Sequence, residues 1–267
     1  MSDRVRIEVQ DHLASVSLTR PDKHNALDIE MFEAIHAAGE RLASEPGLRA
    51  VVLHGEGPSF CSGLDVVSIM SENADPAHPL AGLTDRVHGE VPNWFQRAST
   101  TWTELPVPVI AALHGNVFGG GLQIALGADL RIAAPDARLS VMEVKWGLIP
   151  DMGITRTLPR LVAIDVAKEL TYTGRIVSGT EAAQLGLVTR VADHPLVAAE
   201  QLAAEIASRS PDAVRRAKRL YDESWTGPAH ETLTREAELQ LELVGSPNQL
   251  AAVTAGFSKE PAQFVDP

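Results

Sequence analysis

Apolar and polar residues alternate from Val5 to Val9 and again from Leu13 to Thr19, with Gln10-Asp11-His12 between them. A period of two interrupted by a polar break predicts an antiparallel hairpin. The period then changes: Met31, Ile35, Ala38 and Leu42 recur at helical spacing, Asp28 stands where it can cap the first turn, and Pro46-Gly47 ends the pattern. Ala50-Val51-Val52-Leu53 is a short unbroken apolar run, as expected of a strand covered on both faces. The order of strand, loop and helix returns in Val107 to Leu113 and Leu122 to Leu126, and a third strand is predicted from Leu130 to Ala134. Such alternation predicts an α/β core of stacked sheet-and-helix turns. From about Ile164 the pattern becomes helical. Thr180 is placed to cap a short helix ended by Gly186, Val197 to Ser208 is helical, Pro211 opens another helix, and Ala229 to Val244 is amphipathic. The division expected is a core over residues 1–190 and a helical C-terminal region over 191–267. Between Ser68 and Thr101 the chain is polar and only loosely periodic, which predicts a mobile flap, with simple disorder as the alternative.

Two Gly-centred segments follow predicted strands: Phe60-Cys61-Ser62-Gly63-Leu64-Asp65, and His114 to Gln123 with the triplet Gly119-Gly120-Gly121. Without Cβ atoms, backbone N–H groups can approach a ligand oxygen closely, and a following helix N-terminus adds partial positive charge. Two such donors converging on one carbonyl oxygen form an oxyanion hole, worth about 2.7–4 kcal/mol per donor to the developing charge. A tight strand-to-helix turn without a ligand is the alternative for either segment alone.

With 267 residues, 45% hydrophobic and 22% charged, the composition is that of an ordinary globular enzyme. A formal net charge of -12 argues against nucleic acid or an anionic membrane as the main partner, so an anionic ligand must meet a local cluster of cations. A single cysteine, Cys61, excludes an internal disulfide and a thiolate-rich zinc site and points to a reducing cytoplasm. No run approaches the roughly 20 apolar residues of a membrane span, and the N-terminus does not read as an export signal.

Arg20-Pro21 followed by His24-Asn25-Ala26-Leu27, the two Gly segments, Gly147-Leu148-Ile149-Pro150, Thr173-Gly174 and the stretch Ala182 to Val188 occur in an order that resembles the crotonase, or enoyl-CoA hydratase/isomerase, superfamily over nearly the whole chain. The resemblance implies a crotonase-like α/β spiral of stacked β-β-α repeats, an acyl-CoA thioester as substrate, no cofactor beyond the CoA that belongs to the substrate, and a place in fatty acid metabolism. It implies that the backbone N–H groups of Leu64 and Gly120 are the oxyanion donors. Ala26, Ser62 and Asp65 are then substrate-binding positions, and Lys23 and Lys259 are candidates for phosphate or adenosine contacts, two plain surface lysines being the alternative. It also implies a homotrimer or dimer of trimers, with the C-terminal helices packing on neighbours and closing the pocket.

The acid–base residues depart from the family's hydratase pattern. Where hydratases carry a glutamate on the helix after the Gly triplet, this chain has Gln123, whose amide can orient a group but cannot exchange a proton near neutral pH. The second glutamate is present as Glu143. Asp151 stands eight residues later, at a place often glycine in hydratases and acidic in dienoyl-CoA isomerases and hydroxyacyl-CoA hydrolases of the superfamily. One glutamate suffices for a 1,3-proton shift, and a second carboxylate permits a 1,5-shift or holds a water. Isomerisation of an enoyl- or dienoyl-CoA is therefore the expectation, with hydration, acyl-CoA hydrolysis and non-catalytic acyl-CoA binding as alternatives. Dinucleotide, P-loop, nucleophile-elbow and metal-site patterns are absent at the required spacings.

Overall fold

A computed structural model of the chain describes residues 3–72 and 91–266. Among them the strands are β1 (Val5–Gln10), β2 (Leu13–Leu18), β3 (Ala50–Gly55), β4 (Val109–Leu113), β5 (Asn116–Phe118), β6 (Leu130–Ala133), β7 (Arg138–Ser140), β8 (Val177–Ser178) and β9 (Arg190–Val191). The helices are α1 (Ile29–Ala43), α2 (Val66–Glu72), α3 (Trp94–Glu104), α4 (Gly120–Gly127), α5 (Ile154–Thr157), α6 (Ile164–Thr173), α7 (Gly179–Leu185), α8 (Pro195–Ala207), α9 (Pro211–Ser224), α10 (Ala229–Leu243) and α11 (Pro247–Ser258). One sheet runs β1-β2-β3-β4-β6-β9 and a smaller one β5-β7-β8.

The predicted hairpin forms, with Val5 opposite Leu18 and Gln10 opposite Leu13. From β2 onward the large sheet is parallel: β2 with β3, β3 with β4, β4 with β6 and β6 with β9. The unbroken apolar runs follow from this, because both faces of the parallel strands are covered. Val51, Leu53, Val109, Ala111 and Leu113 point into the main core, whereas Ala50, Val52, Ile110, Ala112 and Ile132 meet Ala199 and Ala203 of α8 on the other face. Small alanines on both sides of that second interface let α8 lie close to the sheet. No helix among the described residues is long and apolar enough to cross a membrane.

Several element boundaries differ from the sequence expectations for local physical reasons. The expected loop across Ser68 to Thr101 contains two helical pieces, α2 and α3, and its residues 73–90 lie outside the described residues. α3 begins with a capping box, in which the Asn93 side chain accepts from Gln96 N at 2.9 Å and the Gln96 side chain accepts from Asn93 N at 3.0 Å. α7 starts two residues earlier than expected, capped by Ser178 rather than Thr180, and Gly186 ends it in the left-handed region as anticipated.

The approach of α3 to α4 fixes where the candidate site sits. Ser99 Oγ donates to Gln123 O at 2.7 Å and Thr103 Oγ1 to Gly127 O at 2.9 Å, so α3 adds a hydroxyl to a carbonyl in the middle of α4 and another to its last carbonyl, which has no intrahelical partner. The helices are so close at Gly127 that a Cβ there would run into the Ser99 carbonyl oxygen. Gly127→Ala is therefore expected to destabilise the protein by about 1–3 kcal/mol through overpacking against rigid backbone. Urea denaturation checks this; an unchanged midpoint would show that the two helices can part without loss.

Candidate active site

The carboxyl ends of β3 and β4 lie side by side, since Val51 is level with Val109 and His54 with Ala112. The segments leaving them stay paired. Phe60 N donates to His114 O, Cys61 N to Asn116 O at 3.0 Å, and Phe118 N to Cys61 O at 3.0 Å, forming a parallel bridge between Cys61 and Val117. The opening motif pairs with the first Gly segment in the same way: Ser62 N donates to His24 O, Leu27 N to Gly63 O at 2.8 Å, and Asp65 N to Leu27 O at 2.9 Å. Three sequence motifs far apart in the chain thus become one continuous backbone platform.

The four Gly positions have distinct reasons. Gly63 adopts φ 88° and Gly119 φ 52°, ψ -122°, conformations that a side chain resists. A Cβ on Gly120 would meet Leu27 Cδ1 and Met152 Sδ, each at 2.9 Å, and one on Gly121 would meet Cys61 Cβ at 2.7 Å. The bare face of Gly121 is therefore turned to the core, not to a ligand. Gly120 is the first residue of α4, so the triplet is the start of the helix and not a loop before it. Neither Leu64 N–H nor Gly120 N–H donates to another backbone group among the described residues, and a Cβ on Gly63 would lie 3.7 Å from Gly120 N. The two expected donors are thus neighbours with their hydrogen-bonding capacity free.

Next to them lies a buried polar cluster. Gln123, on the first turns of α4, is 1% exposed; its Nε2 donates to Glu143 Oε1 at 2.7 Å and its Oε1 accepts from Met152 N at 2.8 Å. Glu143 opens a 3-10 turn through Trp146 that follows β7, and a Cβ on Gly119 would sit 3.4 Å from its Oε1. Glu143 Oε2 is buried and has no hydrogen-bond partner among the described residues. Burial pushes the Glu143 carboxyl above its ordinary value; the Gln123 amide draws it down and the charge of Asp151 pushes it up. Asp151 stands at the open side of the cluster, and loss of solvent around it still raises its carboxyl. Glu143, Gln123 and Asp151 are therefore brought together, as the sequence pattern implied.

The remaining candidates divide. Ala26 is buried beneath the platform, Ser62 is half-buried with Oγ donating to Lys23 O at 3.3 Å, and Lys23 is exposed on a 3-10 turn at Pro21–Lys23. Burial raises Asp65, but the Ser68 N–H and the Arg20 guanidinium outweigh that and hold its carboxyl below the ordinary range. Its 2.9 Å pair with Arg20 Nη1 makes Asp65 part of the platform's support. Lys259 caps α11 in the left-handed region and is exposed, with no hydrogen bond or ion pair to the other site residues among those described. Sequence reasoning missed Met152, whose backbone N–H anchors Gln123, and Leu27, which packs on Gly120; an apolar residue carries no chemical signal to find it by. No three His, Cys, Asp or Glu side chains gather as a metal-binding group among the described residues.

A family model described as enoyl-CoA hydratase/isomerase matches residues 8–264. The chain belongs to the enoyl-CoA hydratase/isomerase family. It is 37% identical over 222 residues to YngF of Bacillus subtilis (strain 168), covering 82% of this chain and 81% of that one. It is 31% identical over 260 residues to the mitochondrial Delta(3,5)-Delta(2,4)-dienoyl-CoA isomerase of Mus musculus, covering 96% of this chain and 80% of the mouse protein. The crystal structure of an enoyl-CoA hydratase from Bacillus anthracis superposes with a TM-score of 0.88 at 30% identity, covering 98% of each chain. The fold is thus the crotonase fold with a helical C-terminal region, and members of this family are lyases or isomerases acting on acyl-CoA thioesters.

Asn25 is the residue that locks the platform. It is fully buried at φ 55°, its Nδ2 donates to the carbonyls of Glu56, Ser59 and Phe60 at 2.8–3.1 Å, and its Oδ1 accepts from Arg20 N at 2.8 Å. Asn25→Ala removes these bonds and forces a Cβ residue without local compensation into the left-handed region, for an expected loss on the order of 3 kcal/mol. Asn25→Gly should recover about 1 kcal/mol of it, because only the backbone strain is relieved. Equal denaturation midpoints for the two variants would remove the backbone contribution from this explanation.

Proposed function

We propose that this protein isomerises an unsaturated acyl-CoA by proton transfer, with Glu143 as the base and Asp151 as the second proton carrier. The observation that carries the proposal is the pairing of Glu143 with Asp151 beside an amide, Gln123, at the position where a second basic glutamate would serve hydration. The thioester oxygen accepts from the N–H groups of Leu64 and Gly120. Glu143 Oε2 removes a proton from the acyl chain, the electron pair moves onto the thioester oxygen as an enolate, and collapse of the enolate shifts the double bond as a proton is returned to a distal carbon. Asp151 returns that proton when the chain is a diene, and the loss of solvent that raises its carboxyl favours its protonated form relative to a fully solvated aspartate. The oxyanion donors favour this step because the oxygen carries more charge in the transition state than in the substrate. The similarity to the mouse dienoyl-CoA isomerase supports the same reading. Hydration is the second reading, favoured by the likeness to the Bacillus anthracis hydratase, and requires a water held between Glu143 and Asp151.

The proposed assembly is a trimer or dimer of trimers. Leu233 and Leu241 on α10 and Leu250, Val253 and Phe257 on α11 are exposed, an amount of apolar surface that a neighbouring copy would cover. Light scattering at micromolar concentration is expected to give a multiple of three; a monomer contradicts the assembly.

A panel of enoyl-, dienoyl- and hydroxyacyl-CoA thioesters, followed by mass and absorbance, tests the reaction. Glu143→Gln should lower turnover by roughly 10²–10⁴-fold with acyl-CoA binding nearly intact, and Asp151→Asn should impair turnover more than binding. Wild-type turnover in Glu143→Gln removes Glu143 from the mechanism. The same variant has a stability signature. A carboxyl whose folded value is raised binds its proton more tightly in the native than in the unfolded chain, so its contribution is most favourable at low pH and is lost as pH rises from the ordinary carboxylate value through the raised one. Glu143→Gln should therefore melt at or above wild type near neutral pH, and the difference should narrow on acidification through the ordinary carboxylate range. A variant that melts below wild type at neutral pH would show that the ionised Glu143 stabilises the fold.

A further inference from the structure

We infer that Gln123 is a positioning residue that fixes which oxygen of Glu143 exchanges protons, and that it thereby selects a site with one free base. The inference rests on the reading of Glu143 as the base. The orientation of the amide is dictated by its partners. Met152 N–H can only donate, so the atom of Gln123 facing it at 2.8 Å is the carbonyl oxygen, and the NH2 group must face Glu143. That NH2 can also only donate, so Glu143 Oε1, 2.7 Å away, must offer a lone pair and cannot carry a proton toward Gln123. A proton on Glu143 is thereby favoured on Oε2, the oxygen that is not already accepting from the amide. This is the buried oxygen that lacks a partner among the described residues. One hydrogen bond thus both orients the carboxylate and leaves its other oxygen as the proton-exchanging atom.

The brace also sets the second carboxylate. Met152 follows Asp151 directly, so the bond from its N–H to Gln123 ties the Asp151 backbone to α4 and to Glu143 in one unit. Gln123 itself is immobilised by packing and by Ser99, whose Oγ donates to its backbone carbonyl at 2.7 Å. A glutamate at 123 would behave differently. One of its oxygens could still accept from Met152 N–H, but the other would face Glu143 Oε1 at the same short distance, where two carboxylates need a proton between them. That proton would be pinned away from substrate, and a second carboxylate would be available to hold water. The amide removes both consequences.

Among the described residues the charged surroundings of Glu143 are few. α4 and the β5–α4 junction bring no titratable group to it; Asp151 is the charge acting on it from the loop before α5. Lys145 lies on its own turn, and Lys168 and Glu169 belong to α6, which packs beside that turn.

The test is direct titration of Glu143 by 13C NMR in protein labelled at the glutamate side-chain carboxyl carbon, the resonance being assigned by its disappearance in Glu143→Gln. In substrate-free wild type one transition is expected above the ordinary carboxylate range. Gln123→Met removes the donor, so the transition should move further up, with kcat falling by up to ~10²-fold and KM little changed. Gln123→Glu keeps an acceptor for Met152 N–H, so it is expected to fold even where Gln123→Met does not, and it should convert the transition into a coupled two-step titration. A Glu143 titration identical in wild type and Gln123→Glu overturns the brace. Shifted titrations in a protein that turns over no enoyl- or dienoyl-CoA leave the brace standing and defeat the reading of the function instead.

Discussion

The parallel pairing that continues past the ends of β3 and β4 is the constraint on which the site depends. Strand pairing alone would bring Gly55 and Leu113 near each other; the bridge from Cys61 to Val117 keeps the following segments aligned until Gly63 and Gly120 are reached. Asn25 then ties the opening motif to the same backbone from the other side with four hydrogen bonds. Each such bond contributes only about 1 kcal/mol net, but losing a partner would strand buried carbonyls at a cost of about 1–3 kcal/mol each, so the platform is held chiefly by what its disruption would expose. Two N–H groups are left over, and they are adjacent.

Charge is handled in two ways in this acidic chain. Where carboxylates support structure they are paired: Arg20 reaches Asp65 at 2.9 Å and Asp28 at 3.4 Å, and Asp28 also caps α1 through Met31 N at 2.9 Å. In the proposed mechanism Glu143 is the base, and pairing with a cation would hold it ionised and weaken it in that role. Glu143 is given a neutral amide instead, which orients it at modest cost to its basicity, while burial and Asp151 raise its proton affinity. A buried carboxylate whose proton affinity is raised in this way detracts from stability once it ionises.

The parts of the fold legible in the sequence were those with a long or repeated pattern. The hairpin, α1, β3, β4 and the helices α8 to α10 each carry enough apolar positions for a period to show, and Gly186 and Pro211 mark boundaries by backbone preference alone. β5, β7, β8 and β9 are two or three residues long and are strands only because a neighbour pairs with them, which no local pattern reveals. α3 was hidden by its polar composition, although the Asn93 and Gln96 cap was present in the letters. At the site, Glu143 and Asp151 stood out because their eight-residue spacing matches a family pattern, and the structure brings them within electrostatic reach. What the sequence did not reveal was the partner of Gln123. Its amide looked free to orient a water or a substrate, whereas both of its polar atoms are taken, by Glu143 20 residues on and by the backbone of Met152 29 residues on, contacts that only three-dimensional packing determines.

The central claim is that the site moves protons along an acyl chain without adding water. The most direct measurement is to incubate the wild-type protein in D2O with a 3,5-dienoyl-CoA and follow both the ultraviolet spectrum and the mass of the product. The account predicts a 2,4-dienoyl-CoA with the heavy-atom composition of the substrate and mass changed only by exchanged deuterium. A product heavier by one water, or release of free CoA, would contradict it.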